Sequence, residues 1–225
     1  MRRFATSHVP AVGEFVSLEL EVSHHLLRVT GIAPGEQVEL FDGTGVTAVA
    51  ELCDVQEGCA RLRVVAYREP EKGRTRLHLM VAQLRANSLD TVLRMSTELG
   101  VTDVTVIQSE RCVARGDKRD RWVRIVRSAA AQSGRTEWPT IHPPCALEQV
   151  LSLPKDVVGV VCDPCATEVL ERTIGSTRLL IGPEGGWTDQ ELAEASNAGW
   201  LMRGLGKGVL RADTAAVAAI ARCLA

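Results

Sequence analysis

The sequence has no hydrophobic run that could cross a membrane and very few aromatic residues. No stretch approaches the roughly 18 apolar residues of a membrane helix, and the basic start MRRFATSHVP is not followed by the apolar segment of a signal peptide. Aromatic residues make up 4% of the chain, too few for extensive base-stacking surfaces. We therefore expect a cytoplasmic protein that does not bind membranes.

An excess of charge of one sign is also missing, as is a disulfide pattern of cysteines. The net charge of −2 excludes a protein that coats nucleic acid through bulk electrostatics, so any such binding must be local. Seven cysteines, an odd number at irregular spacing, do not indicate a disulfide framework. The composition, with 45% hydrophobic residues, is typical of a globular protein. The cysteines are expected to stay as thiols in a reducing compartment.

Two patterns of secondary structure follow each other along the chain. The first 67 residues predict a small β-barrel, because short apolar strands alternate with turn dipeptides such as Pro34-Gly35 and Asp42-Gly43. The charged segment REPEKGR, residues 68–74, predicts a linker. Strands and helices alternate after it, which indicates an α/β domain with a largely parallel sheet. We place the division at 1–71 and 72–225.

Within the second part, capping residues suggest where helices begin and end. Ser88 is a candidate N-cap for a helix from Leu89 to Leu99, and Gly100 is suited to follow its end. The remaining predicted elements are the strands LHLMVAQL, DVTVI, VVGVVC, RLLI and WLMRGL, and the helices over 120–133, 189–198 and VAAIARCLA.

A glycine loop, GPEGG at 182–186, follows the predicted strand RLLI and precedes a helix. Thr188 and Glu191 have the spacing of a capping box, which fixes the start of that helix and leaves the loop irregular. The glycines allow the backbone to approach a ligand closely. An ordinary strand-to-helix turn would explain the same composition.

A second glycine loop, GLGKGVLR at 204–211, follows the next predicted strand and precedes the last helix, with Asp213 or Thr214 as the expected N-cap. Glycine loops at the ends of successive strands of an α/β sheet predict a ligand site in the crevice beyond the strands' carboxyl ends. Neither loop has the dinucleotide fingerprint G-x-G-x-x-G in its usual place early in a βαβ unit. Neither fits the P-loop, because Gly208 follows Lys207 where the P-loop needs Ser or Thr. Nicotinamide cofactors and nucleoside triphosphates are therefore disfavoured.

These two segments resemble the signature segments of the RsmE family of SPOUT methyltransferases. The matching stretches are LLIGPEGGWTDQEL and LGKGVLRADTAA, supported by TELGV at 97–101, SERC at 109–112, SAAAQSGR at 128–135 and HHLLRVTGIAPGEQVELFDGTG near the start. They occur in the family's order over nearly the whole chain. The resemblance implies a PUA-like β-barrel followed by a SPOUT α/β domain with a C-terminal trefoil knot at about 157–225. It also implies a homodimer.

The resemblance further implies an enzyme that methylates N3 of a uridine in 16S ribosomal RNA of the small subunit, using S-adenosylmethionine. The residues implied for the cofactor are Cys162, Ile181, Gly182, Pro183, Glu184, Gly185, Gly186, Leu205, Gly206, Val209, Leu210 and Thr214. Arg211 is the implied catalytic cation, since a guanidinium can stabilise or orient a uracil anion. Asp213 either positions Arg211, accepts a proton or caps the helix; Glu184 and Glu98 are lesser candidates for the base.

The chain departs from the family pattern at a few positions. Relatives carry Thr and Glu where Ala212 and Asp213 stand, so the carboxylate here is one methylene shorter. They also favour Lys near Ser88 and a Gln-Lys pair at Arg94-Met95. Substrate identity is the expectation most exposed to these changes. A protein that keeps the fold but has lost catalysis, or one that methylates a different RNA site, is the alternative.

Arginines outside the glycine loops are candidates for contact with RNA phosphates, which set affinity and register rather than sequence preference. They are Arg2, Arg3, Arg28, Arg111, Arg115, Arg119, Arg124 and Arg135. A solvated helix face would explain the basic stretch from 111 to 135 equally well. The expected partner is ribosomal RNA and not DNA.

Two cysteine patterns suggest other chemistry. His142, Cys145, Cys162 and Cys165 have the spacing of a zinc ribbon, and Cys162 with Cys165 could form a thioredoxin-type pair. The family resemblance includes no metal, and Cys162 ends an apolar strand where a small hydrophobic residue is expected. We therefore predict no metal site.

Overall fold

The computed structural model describes residues 1–68 and 76–224. It shows a mixed α/β fold, which confirms the fold class predicted from the sequence at that level. The predicted linker and the predicted boundary near residue 72 fall, apart from Arg68, outside the described residues. The chain forms two compact units, and a short later segment, 130–138, belongs with the N-terminal one.

The N-terminal unit is built on a five-stranded sheet. Its strands are β1 (Arg3–Ala5), β2 (Phe15–Ser17), β3 (Gln37–Phe41), β4 (Thr47–Gln56) and β5 (Cys59–Arg68), with α1 (Leu20–His24) and a π-helical turn (His25–Val29) between β2 and β3. The order across the sheet is β1-β3-β4-β5-β2, and only β1 and β3 run parallel. The sheet buries apolar side chains such as Leu40, Leu52 and Leu62, which form this unit's core.

A two-residue turn joins β4 and β5. Glu57 and Gly58 have φ angles of 51° and 83°, and two successive residues with positive φ are what the tight hairpin turn with the right-handed twist requires. Glycine meets that requirement without cost, whereas Glu57 adopts the left-handed region against its preference.

Residues 130–138 complete the N-terminal unit. Gly45 N donates a hydrogen bond to Thr136 O at 3.3 Å, and the Trp138 ring meets Phe41 edge-on at 5.7 Å. Trp138 also covers Gly43, where a Cβ would lie 2.0 Å from its ring. The glycine of the Asp42-Gly43 turn is therefore required for close packing as well as for its φ of 83°.

The second unit is built on a six-stranded parallel sheet. Its strands are β6 (Leu77–Ala82), β7 (Asp103–Gln108), β8 (Thr140–Ala146), β9 (Val157–Cys162), β10 (Ser176–Ile181) and β11 (Leu201–Arg203), in the order β11-β9-β10-β6-β7-β8. The helices are α2 (Ala86–Leu99), α3 (Arg119–Ser133), α4 (Asp189–Asn197) and α5 (Ala212–Leu224), with a 3-10 turn at Leu147–Gln149. The last four residues of α3 belong to the N-terminal unit.

The path of the last strands sets the position of the candidate site. β10 pairs with β9 on one side, and β11 pairs with β9 on the other, so the chain passes β9 after leaving β10. Because the sheet is parallel, β9, β10 and β11 all end at the same edge. Both glycine loops therefore start from that edge, as the sequence predicts.

Helix ends agree with the sequence in some places and differ in others. The predicted capping box of α4 is confirmed: Glu191 N donates to Thr188 Oγ1 at 3.2 Å, and Thr188 N donates to Glu191 Oε2 at 2.8 Å. Gly100 ends α2 with a φ of 94°, also as predicted. The prediction of Ser88 as N-cap is wrong, because α2 begins at Ala86 with Arg85 as its N-cap residue.

The start of α5 also differs from the prediction. The helix begins at Ala212, so Asp213 and Thr214 lie in its first turn and neither is its N-cap. Asp213 still accepts a hydrogen bond from the backbone N–H of Thr214, at 2.9 Å from Oδ1. The carboxylate thus stabilises the start of the helix from inside the first turn, where the helix dipole favours negative charge.

None of the helices in residues 1–68 and 76–224 is both long and apolar enough to span a membrane.

Candidate active site

The edge at which β9, β10 and β11 end is the centre of the candidate site. Cys162 at the end of β9 is in register with Arg203 at the end of β11, and Ile181 is the last residue of β10. The first glycine loop continues from Ile181 and the second from Arg203. The structure therefore brings the two predicted loops together at one edge of the sheet.

The first loop, which we define as residues 182–187, folds back on itself. Gly186 N donates a hydrogen bond to Pro183 O at 2.9 Å, and Gly186 has a φ of 71°, in the region that glycine adopts most easily. Pro183 is buried and Trp187 closes the loop with 9% of its surface exposed. The loop is a fixed turn even before any ligand is considered.

Trp187 ties the first loop to the end of β9. Its indole N–H donates to the carbonyl oxygen of Cys162 at 3.1 Å, and its ring lies 3.0 Å from where a Cβ on Gly182 would stand. Any larger residue at 182 would push the ring away from that carbonyl. Gly182 is therefore needed because the indole packs against it.

Two side chains, Arg111 from outside the loop and Glu184 within it, also tie the first loop to the rest of the second unit. Arg111 Nη1 donates to Gly185 O at 3.1 Å and to Trp187 O at 3.0 Å. Glu184 Oε1 accepts from Arg85 N at 3.1 Å, at the start of α2. Hydrogen bonds that involve a charged group are stronger than neutral ones. The sequence suggested a phosphate contact for Arg111 and a cofactor contact for Glu184. In the structure both side chains form hydrogen bonds that hold the first loop in place.

The second loop, which we define as residues 205–211, is open by comparison. Gly206, Lys207, Gly208, Val209 and Leu210 are all exposed, and Val209 exposes 84% of its surface although it is apolar. A Cβ on Gly206 or Gly208 would meet nothing within 4 Å. The loop offers backbone groups and apolar side chains to a ligand.

The base of the second loop is anchored by the segment that follows β9. Gly204 N donates to Glu168 O at 2.8 Å, and Leu170 N donates to Gly204 O at 2.9 Å. The Arg203 guanidinium pairs with the Glu168 carboxylate at 2.8 Å. Gly204 is buried, and a Cβ there would lie 3.1 Å from Ala166 O, so this glycine too serves a close approach. Glu168 was not predicted to belong to the site, and Gly204 was predicted only as the first residue of the second glycine loop, directly after the strand.

Arg211 and Asp213 lie together where the second loop enters α5. Arg211 Nη2 is 3.4 Å from Asp213 Oδ2, with side-chain exposures of 80% and 19%. The carboxylate is fixed by the first turn of the helix, and the guanidinium extends from it into solvent. The predicted pair is therefore in contact, with the cation free to meet a ligand.

Cys162 is a neutral thiol beneath the first loop. Burial, reinforced by nearby Cys223, raises its pKa to about 12. A raised pKa is the opposite of what a redox-active cysteine needs, and its predicted partner Cys165 is exposed on the following segment. The thioredoxin-type interpretation is therefore wrong.

The zinc ribbon interpretation is also wrong, because the sheet separates its ligands. His142 and Cys145 lie on β8, while Cys162 ends β9, and three strands lie between β8 and β9. His142 Nε2 instead hydrogen bonds with Asp103 Oδ1 at 2.9 Å. Among the described residues, no group of three His, Cys, Asp or Glu side chains is arranged to hold a metal ion.

The arginines predicted to bind RNA are divided between the two units. In the N-terminal unit, Arg3 pairs with Glu39 at 3.0 Å, Arg2 donates to Thr30 O, and Arg28 is exposed. Arg135 is half-buried in the segment that joins this unit.

In the second unit, the predicted arginines lie around the start of α3. Arg119 pairs with Asp117 at 2.7 Å, and Arg124 Nε donates to Asp120 O at 3.4 Å. Arg115 is exposed, and its side chain has no ion pair or hydrogen bond among residues 1–68 and 76–224. The basic stretch is therefore partly neutralised, and Arg115 is its least engaged member.

Comparisons with known proteins show the family to which the chain belongs. Residues 71–224 match the family model described as RNA methyltransferase domain. The chain belongs to the RsmE family of RNA methyltransferases. The family predicted from the sequence is thereby confirmed.

Relatives cover nearly the whole chain. Ribosomal RNA small subunit methyltransferase E from Synechocystis sp. is 30% identical over 218 residues, covering 92% of this chain and 72% of that protein. The protein of the same name from Mycobacterium bovis is 29% identical, covering 96% and 88%. The crystal structure of the Neisseria gonorrhoeae enzyme, bound to S-adenosyl methionine, is 33% identical with a TM-score of 0.89, covering 98% of this chain and 95% of that one.

Proposed function

We propose that this protein transfers a methyl group from S-adenosylmethionine to N3 of a uridine in 16S ribosomal RNA of the small subunit. The observation that carries the proposal is the pair of glycine loops that start from adjacent ends of β9, β10 and β11 in a chain of this family. The Neisseria gonorrhoeae relative, which is bound to S-adenosyl methionine, supports the same cofactor here.

The residues at the edge of the sheet fit a nucleoside cofactor. The second loop presents uncovered backbone at Gly206 and Gly208 and an exposed apolar side chain at Val209, and the first loop supplies a fixed wall. The proposed cofactor residues are Cys162, Ile181, Gly182, Pro183, Glu184, Gly185, Gly186, Leu205, Gly206, Val209, Leu210 and Thr214. The bound cofactor would supply an electrophilic methyl group on a sulfonium. The neutral Cys162 thiol suits such a site, because it does not compete as a thiolate nucleophile.

Arg211 is the proposed catalytic residue. Uracil N3 must lose its proton before or as it attacks the methyl group, so negative charge develops on the base. A guanidinium is always charged and its planar fork can hold that anion. Its 80% exposed side chain is free to do so.

Asp213 is proposed to position Arg211 or to accept the N3 proton. Both roles are compatible with its contacts, since Oδ2 is 3.4 Å from Arg211 and Oδ1 accepts from Thr214. Glu184 is the weaker candidate for the base because its carboxylate already accepts from Arg85 N. Glu98, near the end of α2, is also a lesser candidate.

The finer architecture is part of the proposal. We assign residues 1–71 to a PUA-like RNA-binding barrel and 72–225 to a SPOUT domain whose segment from about 157 forms a trefoil knot. The passage of the chain from β10 past β9 to β11, and the packing of α5 against α2 and β10, support the knot. Exposed apolar residues at Val169, Ile174 and Val209 support a homodimer, since a second copy would cover them.

RNA binding is assigned to both units. In the N-terminal unit Arg2, Arg3, Arg28 and Arg135 are proposed to contact phosphates, and in the second unit Arg115, Arg119 and Arg124. Arg111 acts first as a support of the first loop. The protein is proposed to act in the cytoplasm on ribosomal RNA, and not on DNA or at a membrane.

A transfer assay on small ribosomal subunits tests the proposal. Subunits from cells that lack this gene are incubated with the purified protein and S-adenosylmethionine carrying a labelled methyl group, and the RNA is digested and analysed by mass spectrometry. We expect one labelled N3-methyluridine per 16S RNA. Cofactor binding without transfer would instead support a binding protein that has lost catalysis, and label at another nucleotide would support a different RNA site.

A further inference from the structure

A small cleft opens in the second unit beside the carboxyl end of β6, outside the two glycine loops. Its walls come from Gln83 and Leu84 after β6, from the first turns of α2, and from the segment that leads into α3. The cavity volume is about 40 Å³. At about 10–15 Å³ for each water, this space corresponds to about three waters or one small anion.

The rim of this cleft is positively charged. Arg115 and Lys118 line it, both are exposed, and neither side chain has an ion pair or a hydrogen bond within the described part of the chain. Arg121 and Asp90 also line it, but they form an ion pair with each other and so neutralise one another. Arg115 and Lys118 therefore leave two uncompensated positive charges, which favour an anion.

The wall of the cleft contains a hydrogen-bond donor, the Trp122 indole N–H, which is not among the fully buried atoms that lack a partner and is therefore open to the cleft. Trp122 lines the cleft with 2% of its surface exposed, and no atom in residues 1–68 and 76–224 accepts from its indole N–H. The indoles of Trp187 and Trp200, by contrast, donate to carbonyl oxygens at 3.1 and 2.8 Å. The Trp122 donor is therefore available to an oxygen atom of a ligand in the cleft.

The start of α2 supplies further donors beyond the Arg85 N–H, which Glu184 Oε1 already accepts. Ala86 lines the cleft, the helix has no side-chain cap, and its first turn contains no acidic residue. The backbone N–H groups of a first turn have no partner inside the helix and carry partial positive charge. A tetrahedral oxyanion would satisfy both these groups and the indole donor.

We propose that this cleft binds one backbone phosphate of the RNA substrate. The cleft is joined to the first glycine loop through the hydrogen bond of 3.1 Å between Arg85 N and Glu184. A phosphate held there fixes the RNA strand at a set distance from the cofactor loops, because phosphate contacts determine register. The inference rests on the proposed function, since it names how that site positions its RNA.

A charge-neutralised variant tests the cleft. Arg115→Gln with Lys118→Gln removes the two free cations, and Lys155→Gln with Arg178→Gln is the matched control near the amino ends of β9 and β10. We expect the cleft variant to bind unmethylated small subunits at least 10-fold more weakly. The slope of log K against log salt concentration should be smaller in magnitude by about 1 to 2. Its affinity for S-adenosylmethionine should equal that of the wild type. Equal losses in both variants, or no loss in the cleft variant, would overturn the proposal.

An NMR titration tests the indole donor directly. The Trp122 indole N–H signal is identified by its loss in Trp122→Phe, and the wild-type protein is titrated with the dinucleotide UpU and, separately, with inorganic phosphate. We expect UpU to shift the Trp122 signal and leave that of Trp200 in place, with a smaller shift in the Arg115→Gln, Lys118→Gln variant. A shift with inorganic phosphate alone would indicate a free-phosphate site, and no shift with either would remove the site; both results overturn the proposal.

The two proposals fail separately in these experiments. If the wild-type protein shows the Trp122 shift but transfers no methyl group, the proposed function fails and the phosphate cleft stands. If transfer proceeds and neither subunit affinity nor the Trp122 signal responds as expected, the cleft fails and the proposed function stands.

Discussion

The two glycine loops share a sheet edge but differ in how they are held. The first loop is braced by Arg111, by the Trp187 indole on Cys162 O, and by Glu184 on the start of α2. The second is anchored at Gly204, and beyond that point its residues 206–211 are exposed. The first loop is a preformed turn, and the second loop is exposed over most of its length.

This difference suggests that the two loops contribute differently to one cofactor pocket. A preformed wall costs little ordering when a ligand binds, so it contributes to affinity through shape. The open loop gains its contacts only when a cofactor, RNA or a second copy covers Val209 and Arg211. We therefore propose that catalysis depends on the second loop, whose surroundings would be completed by binding, and that stability depends more on the first loop, which is already packed.

The largest expected effect is on the open loop. Arg211→Ala should lower the rate of methyl transfer by about 100- to 1000-fold, as removal of one preorganised donor to a developing anion does. Cofactor affinity should stay within about 2-fold, because the guanidinium is mostly in solvent. Single-turnover transfer and calorimetric titration measure the two. Wild-type rates in this variant would remove Arg211 from the catalytic residues, and Lys155→Ala, an exposed cation before β9, is the control.

A matched pair of glycine substitutions compares the stability of the two loops. Gly182→Ala places a Cβ 3.0 Å from the Trp187 ring and should lower the free energy of unfolding by about 1–3 kcal/mol. The Cβ added by Gly208→Ala would have no atom within 4 Å, so this substitution should change the free energy of unfolding by less than about 1 kcal/mol. Urea unfolding measures both. Equal destabilisation by the two substitutions would mean that the loops do not differ in packing.

Removal of the Arg111 side chain, which supports the first loop, should have a smaller effect. That effect should be a loss of cofactor affinity. Arg111→Ala removes the donors to Gly185 O and Trp187 O, so we expect about 10-fold weaker binding of S-adenosylmethionine. Arg94→Ala, which removes an exposed arginine on α2, should leave it unchanged. If Arg111→Ala weakens RNA binding and spares cofactor binding, the arginine is a phosphate contact and not a brace.

The smallest effect concerns cysteine reactivity beneath the first loop. Burial raises the pKa of Cys162 to about 12, so almost none of it is thiolate at pH 7.5, whereas Cys165 is exposed. Iodoacetamide should label Cys165 in the folded protein and Cys162 only after unfolding. Labelling of Cys165 should leave the cofactor affinity unchanged. Mass spectrometry of timed samples gives both rates. Equal rates would show that the first loop opens readily.

Local signals in the sequence predicted much of this site. The capping box at Thr188 fixed the end of the first loop, and the glycines of both loops predicted close backbone approach. Contacts between residues far apart in the chain could not be predicted in this way. The bond between Glu184 and Arg85, and that between Trp187 and Cys162, exist only because the sheet order makes β6, β9 and β10 neighbours.

One strand was missed for a local reason. β8 contains Pro143 and Pro144, which argue against a central strand. It is an edge strand, and its register with β7 shifts between the pairs Thr105–His142 and Ile107–Cys145, where the prolines lie. An edge position and an irregularity each tolerate proline, but neither is visible in the sequence.

Hydrogen exchange with and without S-adenosylmethionine tests most directly the claim that the two loops form one cofactor pocket. Peptides that cover 182–187 should exchange slowly in the free protein and gain little protection, while peptides that cover 205–211 should exchange rapidly and become strongly protected. Protection that leaves either loop unchanged and appears elsewhere, or the absence of any binding, would contradict the account.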